Sequence, residues 1–525
     1  MSETIQPRDT LSLAISGQLD AVEKLDFNQI RELCYLDPDF DYTDSGNAKL
    51  QVELVENKVV WVDELGNFAF HEGRWQQDVN GATIRLADLL LQRRKQELSV
   101  YRKLEKKLQS FGDEFNTKPV IRMVEARIKE LVQHCKKVQS KTAIFAIREL
   151  FKAQKGITVP LATFDSKAHY IGVKNGIVDL RNGNFITNKP EYLMMKSMAV
   201  SFDKDATCPR FEKFVSEIML GNKEMVAFIQ RLVGQMILGI TNKDKFVILI
   251  GSGLNGKSVL IDLLVQILAD YAEQTESDIF TDRRNNKEYF KAELVAKRLV
   301  SMNESSRGDK LDSAMIKSCV RSGKVVARSP HGKPFTYQPM FTPVLSTNFL
   351  LDIPQDPAVW ERLLIVPFDY VVTDNKRDPK LKETLFKEEG AGILNWMVKG
   401  AQMFLNEGLN VPEELLAKQD GYRRKSDKVA QFLTDSCTEN VSIKDALYLQ
   451  ASYNQLRDGF FIWCKQNNYP QPTSGEFKEE LRKKGYKIGK DNEGSLVVNG
   501  VSISDFTTYI SLKLHDPNIE SVVEL

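Results

Sequence analysis

Residues 246–268 read FVILIGSGLNGKSVLIDLLVQIL, and no other run constrains the chain as tightly. Phe246 to Ile250 is a short apolar run that suits a buried strand, and Val259 to Leu268 continues as an amphipathic helix. Between them, Gly251, Ser252, Gly253, Leu254, Asn255, Gly256, Lys257 and Ser258 fit the pattern G-x-x-x-x-G-K-[ST]. Glycines let successive backbone N–H groups curl around phosphates, and the helix that follows points its positive N-terminus at them. In such a loop Lys257 reaches the β- and γ-phosphates and the Ser258 hydroxyl ligates a metal. The expected ligands are therefore ATP and Mg2+, held on an α/β sheet.

Composition narrows the rest. At roughly 150 residues per domain, 525 residues suggest about three domains. With 42% hydrophobic and 27% charged residues, a wholly disordered chain is excluded. Seventy-two Lys and Arg against 71 Asp and Glu exclude a polybasic coating protein, but a local basic channel still suffices to attract phosphates. Six cysteines without a C-x-x-C pair argue against a zinc ribbon or a thioredoxin-type site and suit a reducing compartment. The N-terminus lacks a signal-peptide pattern, and no stretch approaches the roughly 18 apolar residues of a membrane span. The expectation is a cytoplasmic protein without a membrane partner.

The chain divides by pattern. Residues 1–41 read as an N-terminal extension and 42–208 as a mixed α+β accessory domain. Within the latter, LQVELVENKVVWVDELGNFAFHEGRW alternates like short hairpins broken at Gly66 and Gly73. Residues 82–154 turn helical, and the basic clusters Arg93-Arg94-Lys95 and Lys136-Lys137 read as solvated faces. A second β-leaning stretch covers 160–202, with Asn-Gly turns. Residues 209–376 form the expected ATPase core: helix over 210–240, then alternating apolar and helical segments over 246–365. A helical link covers 377–440. Residues 441–525 read helix, helix, hairpin, the order of a winged helix.

An ATPase of this type needs a carboxylate at the end of a second strand. Arg298 to Glu304 supplies one, with Glu304 lying 47 residues after Lys257 and serving as water-activating base or metal-side carboxylate. Val344-Leu-Ser-Thr-Asn348 is another apolar strand, with an amide at its tip to bond the γ-phosphate and attacking water. Arg362 stands just before the apolar run Leu363 to Phe368, where it can stabilise transition-state charge on a neighbour's ATP.

In order, GSGLNGKS, RLVSMNE, SGKVVARSPHGKPFTYQP, LSTN and WERLLIVPF resemble a superfamily 3 helicase, and more closely the phage, plasmid and poxvirus-type primase-helicases. Upstream, YTDSGNAKL, FHEGRW, VKNGIVDL and SFDKDATCPRFEKF resemble that family's accessory region. The resemblance implies an AAA+-like core, a homo-hexameric ring, ATP hydrolysis between subunits, and one DNA strand in the central pore moving 3′ to 5′. It makes Glu304 the Walker B carboxylate, Asn348 the sensor and Arg362 the trans-acting finger. It makes Val325 to Tyr337 a pre-sensor hairpin whose tip carries the DNA contacts Lys333 and His331, with Arg328 beside them.

Two departures stand out. Many members have two adjacent acids where this chain has Asn303-Glu304, which leaves the division between metal holding and base catalysis open. The roughly 40 residues before Tyr42 are too few for a primase module, so the expectation is unwinding of forked DNA without primer synthesis, with a separate primase or loader as partner. Lys478, Lys483 and Lys484 are candidate duplex contacts of the winged helix. Two other classes compete: a P-loop kinase or protein remodeller, and a nucleotide-regulated origin-binding scaffold.

Overall fold

The computed structural model describes residues 15, 19–35, 40–63, 65–78, 81–112, 115–240, 245–276, 287–303, 311–319, 323–328, 334–349, 353–373, 377–439, 450–467, 469, 471–490, 494–499 and 501–503. Its first part is helical: α1 (Phe27–Tyr35) and α2 (Asp44–Leu54) lead to a three-stranded antiparallel sheet of β1 (Val59–Val62), β2 (Gly66–His71) and β3 (Arg74–Gln77). The hairpins expected from residue 50 onward thus begin only at Val59. Thr43 is the reason: its hydroxyl accepts from Gly46 N at 3.0 Å and starts a helix that carries Leu50 to Leu54. Three long helices follow: α3 (Ala82–Ser110), α4 (Thr117–Lys137) and α5 (Lys141–Lys152). A second antiparallel sheet comprises β4 (Tyr170–Val173), β5 (Gly176–Asp179) and β6 (Asn184–Ile186).

Helices α6 (Pro209–Ile218) and α7 (Lys223–Leu238) precede the central sheet. Its elements run β7 (Phe246–Ile250), α8 (Lys257–Leu268), β8 (Ala272–Glu276), α9 (Lys287–Glu293), β9 (Leu299–Asn303), α10 (Ser313–Cys319), the antiparallel hairpin β10 (Val325–Arg328) and β11 (Pro334–Tyr337), β12 (Thr342–Thr347), α11 (Pro357–Trp360) and β13 (Leu363–Pro367). The five strands of this sheet lie in the order β13-β7-β12-β9-β8, all parallel. Such a sheet needs both faces covered, and β7 is buried at all five positions. Val247 and Leu249 join a core with the helices α6, α7 and α8. Phe246, Ile248 and Ile250 face a second core that includes Phe68 and Trp75 of the N-terminal sheet. The accessory strands therefore form part of the wall that covers the central sheet.

Helices α12 (Leu381–Glu407), α13 (Glu413–Ser426) and α14 (Lys428–Ser436) occupy the expected helical link. Helix α12 packs directly along α7: a Cβ on Gly400 would stand about 3.0 Å from the Gln230 carbonyl carbon, and Leu394, Met397 and Ala401 are fully buried. The C-terminal part has β14 (Cys437–Glu439), β15 (Gln450–Ser452), α15 (Tyr453–Gln466), α16 (Ser474–Lys483), β16 (Ile488–Lys490), β17 (Leu496–Asn499) and β18 (Val501–Ile503). Strands β15, β17 and β16 pair antiparallel in that order, and β14 pairs with β18.

Candidate nucleotide site at the strand ends

The loop after β7 is shaped by its glycines. Gly253 and Gly256 adopt φ of +98° and +84°, the left-handed region that glycine enters without a Cβ clash. A Cβ on Gly251 would stand 2.5 Å from the Phe368 carbonyl oxygen. The loop ends at Gly256, and α8 begins at Lys257 with Ser258 exposed in its first turn. Leu254 accepts from Val372 N at 2.7 Å, which ties the loop to the segment after β13.

Lys257 is only 3% exposed. Its ammonium donates to the Gly251 carbonyl at 2.7 Å, to Asn255 Oδ1 at 3.1 Å and to Asn348 Oδ1 at 3.4 Å. Asn255 is fixed in turn by a bond from its Nδ2 to Phe368 O at 3.3 Å. Burial lowers the Lys257 pKa, because the charged form loses hydration. Asn348 directly follows β12, whose Thr347 is paired with Ile250 of β7, so two residues 91 apart meet at one end of the sheet.

Arg362 lies at the other end. Its carbonyl accepts from Phe246 N at 2.7 Å, and its guanidinium donates to the Ala358 carbonyl. Five strand residues at about 3.3 Å each separate that end from the loop. Arg362 therefore does not contact the loop of its own chain. Helix α11 just before it is stitched to the C-terminal helices, with Gln355 Nε2 donating to Ser426 Oγ at 2.8 Å and Arg423 standing 6.0 Å over the Trp360 ring.

Strand β9 ends at Asn303, paired with Ser346 of β12. Glu304 lies outside the described residues, as do His331 and Lys333. Arg328 is exposed at the end of β10, in register with Pro334. Val325 and Ala327 are buried while Val326 and Arg328 are exposed, so one side of this hairpin packs into the second core and the other faces solvent.

The three C-terminal lysines are engaged within the chain. Lys478 Nζ stands 5.7 Å over the Tyr453 ring, Lys483 bonds Glu480 at 2.8 Å, and Lys484 pairs with Asp427.

One constellation had no sequence signal. Arg298 is fully buried and donates to Leu238 O at 3.3 Å and Tyr170 O at 3.4 Å, joining α7 and β4 to the start of β9. Beside it, Tyr271 donates to Asp165 Oδ1 at 3.2 Å and accepts from Gly172 N at 2.9 Å. Burial raises the Asp165 pKa to about 6 against the opposing charge of Lys196. These groups fasten the accessory region to the central sheet. Arg298 opens an apolar run and looks like any strand-initiating arginine until the fold brings Tyr170 to it.

Comparisons with known proteins give partial matches. Residues 48–220 match a family model described as D5 N terminal like, and residues 249–362 match a family of unknown function, DUF5906. The chain is 25% identical over 331 residues to "Putative helicase L207/L206" of Acanthamoeba polyphaga mimivirus, covering 58% of this chain and 34% of that protein. It is 23% identical over 351 residues to "Putative primase C962R" of African swine fever virus, covering 61% and 36%. It is 21% identical over 393 residues to "Putative helicase 184R" of Invertebrate iridescent virus 6, covering 67% and 40%. The chain thus spans 34% to 40% of the length of these curated relatives. Among solved structures, the apo NrS-1 C terminal region aligns at 14% identity and a TM-score of 0.35, covering 69% of this chain and 91% of that one. This is a mixed α/β protein with a parallel sheet. Parts of the chain are thus similar to viral proteins named as putative helicases and primases. No helix among the described residues is long and apolar enough to cross a membrane.

Proposed function

We propose that the chain is an ATP-driven replicative DNA helicase of the superfamily 3 type, working as a hexameric ring. One observation carries this reading: Lys257 and Asn348 converge at one end of a parallel sheet, while Arg362 sits at the other. In open α/β sheets ligands bind beyond the carboxyl ends of the strands, which is the end that holds Lys257. The residues fit a triphosphate: small at Gly251, where a side chain would strike Phe368 O, cationic at Lys257, and hydroxylic at Ser258. The loop amides of Ser252 to Ser258 and the Lys257 ammonium would hold the phosphates, and Ser258 with Glu304 would hold Mg2+. When bound, the ion would supply charge neutralisation to the triphosphate. The Asn348 amide orients the attacking water. Arg362 of one subunit completes the site on the next, where a finger of this kind is worth about 10³- to 10⁵-fold in turnover.

The names of the viral relatives support DNA as the polymer that is moved. The hairpin of β10 and β11, with Arg328 at its end and His331 and Lys333 in the connection, is the proposed pore contact. Contacts to phosphate carry no sequence information, so movement is sequence-independent and weakens with salt. The test is ATP turnover with and without single-stranded DNA, beside strand separation on forks with 3′ or 5′ tails. The proposal expects stimulated turnover and unwinding from a 3′ tail. Turnover indifferent to DNA favours a kinase or protein remodeller. Function that survives Lys257→Ala favours a scaffold.

A further inference from the structure

We propose that the accessory helical bundle carries a second nucleic-acid surface, a phosphate-tracking stripe that rides on duplex DNA outside the pore. This rests on the helicase reading for its polymer, but it is argued from separate residues. The chain as a whole is nearly neutral, at +1. That balance hides a strong asymmetry. Residues 82–152, the span of α3 to α5, hold seventeen Lys and Arg against eight Asp and Glu, a surplus of nine, while the remainder of the chain carries an excess of eight acids. A sequence-wide count conceals this, and electrostatic attraction acts on the local field.

Part of the surplus lines exposed helix faces. Along α3, Lys95, Arg102 and Lys106 recur at helical spacing and are all exposed. Gln92, Ser99 and Gln109 fill the same stripe between and beside the cations, and the exposed acid Asp88 stands one turn before it. Eleven residues at about 1.5 Å each spread the three cations over about 16 Å of a rigid rod. None of the three makes an ion pair with a described residue, unlike Lys483 and Lys484 of the C-terminal part. A second stripe on α4 repeats the pattern: Lys118, Arg122, Lys129 and Lys136 are exposed, with Glu125 the acid among them.

The rod is anchored on its buried side. Arg94, turned about 100° round α3 from Lys95, is buried and bonds Asn47 Oδ1 at 2.9 Å, Glu97 Oε2 at 3.0 Å and Asp41 O at 3.1 Å. The cations of the stripe therefore stand on a fixed backbone and need little ordering to meet regularly spaced charges. The stripe bears no aromatic ring. Single strands are gripped largely by stacking on aromatic side chains, whereas duplex presents a dense and regular phosphate array. The charge pattern without stacking groups selects duplex.

The test uses the full chain without nucleotide, so it reads independently of ATP turnover. Binding to a blunt fluorescent DNA duplex is followed by anisotropy from 50 to 200 mM salt, for the parent, for K95E/R102E/K106E, and for the milder K95Q/R102Q/K106Q. Thermal melts check that each variant keeps the parent's fold. The expected result is a loss of at least tenfold in duplex affinity for the Glu variant and a smaller loss for the Gln variant. The log–log salt slope should become shallower by about 2.7 for the three neutralised cations. Nucleotide turnover without DNA should remain that of the parent. Overturning results are a parent that fails to bind duplex, or a well-folded Glu variant whose affinity stays within twofold of the parent. Absent ATPase activity in the parent would sink the helicase reading while leaving this measurement intact.

Discussion

Two buried cations, one in the central sheet and one in the helical bundle, have opposite surroundings. Lys257 is 3% exposed and Arg94 is 2% exposed. Lys257 touches three neutral oxygens, those of Gly251, Asn255 and Asn348, and no described carboxylate forms an ion pair with it. Arg94 has a carboxylate in Glu97, an amide in Asn47, the carbonyls of Phe40 and Asp41, and the Tyr42 ring 4.9 Å away. Burying a charge is costly unless it is paired. Arg94 meets that cost inside its own fold and so acts as a clamp. Lys257 is solvated only by neutral groups, which leaves its charge available to an anion.

Substitutions should separate the two roles. The largest effect is expected at the proposed nucleotide site. Lys257→Ala should cut ATP turnover at least a hundredfold while the melting temperature stays within a few degrees. Arg362→Ala should lower turnover by about 10³-fold or more and leave nucleotide affinity within about threefold, by equilibrium binding of a labelled nucleotide. A smaller and opposite pattern is expected for Arg94→Ala. It leaves Glu97 buried without its cation, with only the Tyr42 hydroxyl at 2.7 Å, and should destabilise the bundle by about 3–5 kcal/mol in urea melts, with turnover per folded molecule unchanged.

Histidine 134 sharpens the comparison further. It bonds the same Asn47 that holds Arg94, at 3.1 Å, and burial together with the Arg94 charge lowers its pKa to about 4. The unfolded chain takes up a proton below its ordinary value near 6.5, while the folded bundle refuses it. The contribution is therefore complete above pH 6.5 and is lost as pH falls toward 4. Between pH 7 and pH 5 the bundle should lose about 2 kcal/mol, read by hydrogen exchange in α4. His134→Asn should flatten that dependence.

The loop after β7 is legible in the sequence because its shape is local. Gly251 to Ser258 are contiguous, and the left-handed turns at Gly253 and Gly256 are written in the residue type. Asn348 and Arg362 were also readable as polar tips of apolar runs, but their placement at opposite ends of the sheet depends on the parallel register of β7 with β12 and β13. Arg94 was misread. It sits between Arg93 and Lys95 in a charged helix and was expected on a solvated face, yet helical rotation turns it inward onto Asn47, 47 residues away. Its neighbour Lys95 does face solvent. A run of basic residues does not reveal which member points to the core, because that depends on partners supplied by distant segments. Arg298 escaped for the same reason, since its acceptors at Tyr170 and Leu238 come from two other elements. Residues 50–54 show a third cause: alternating apolar positions suggested a strand, and the Thr43 cap made the helix.

The central claim is that adjoining copies of this chain share each catalytic site. The direct measurement mixes Arg362→Ala protein with Lys257→Ala protein and follows ATP turnover against the mixing ratio. Each variant alone is expected to be silent. In a mixed ring, an intact loop from the first variant meets an intact arginine from the second, so turnover should rise and peak near equal proportions. A mixture that stays as inactive as its components, although particle imaging shows mixed rings, would contradict the account.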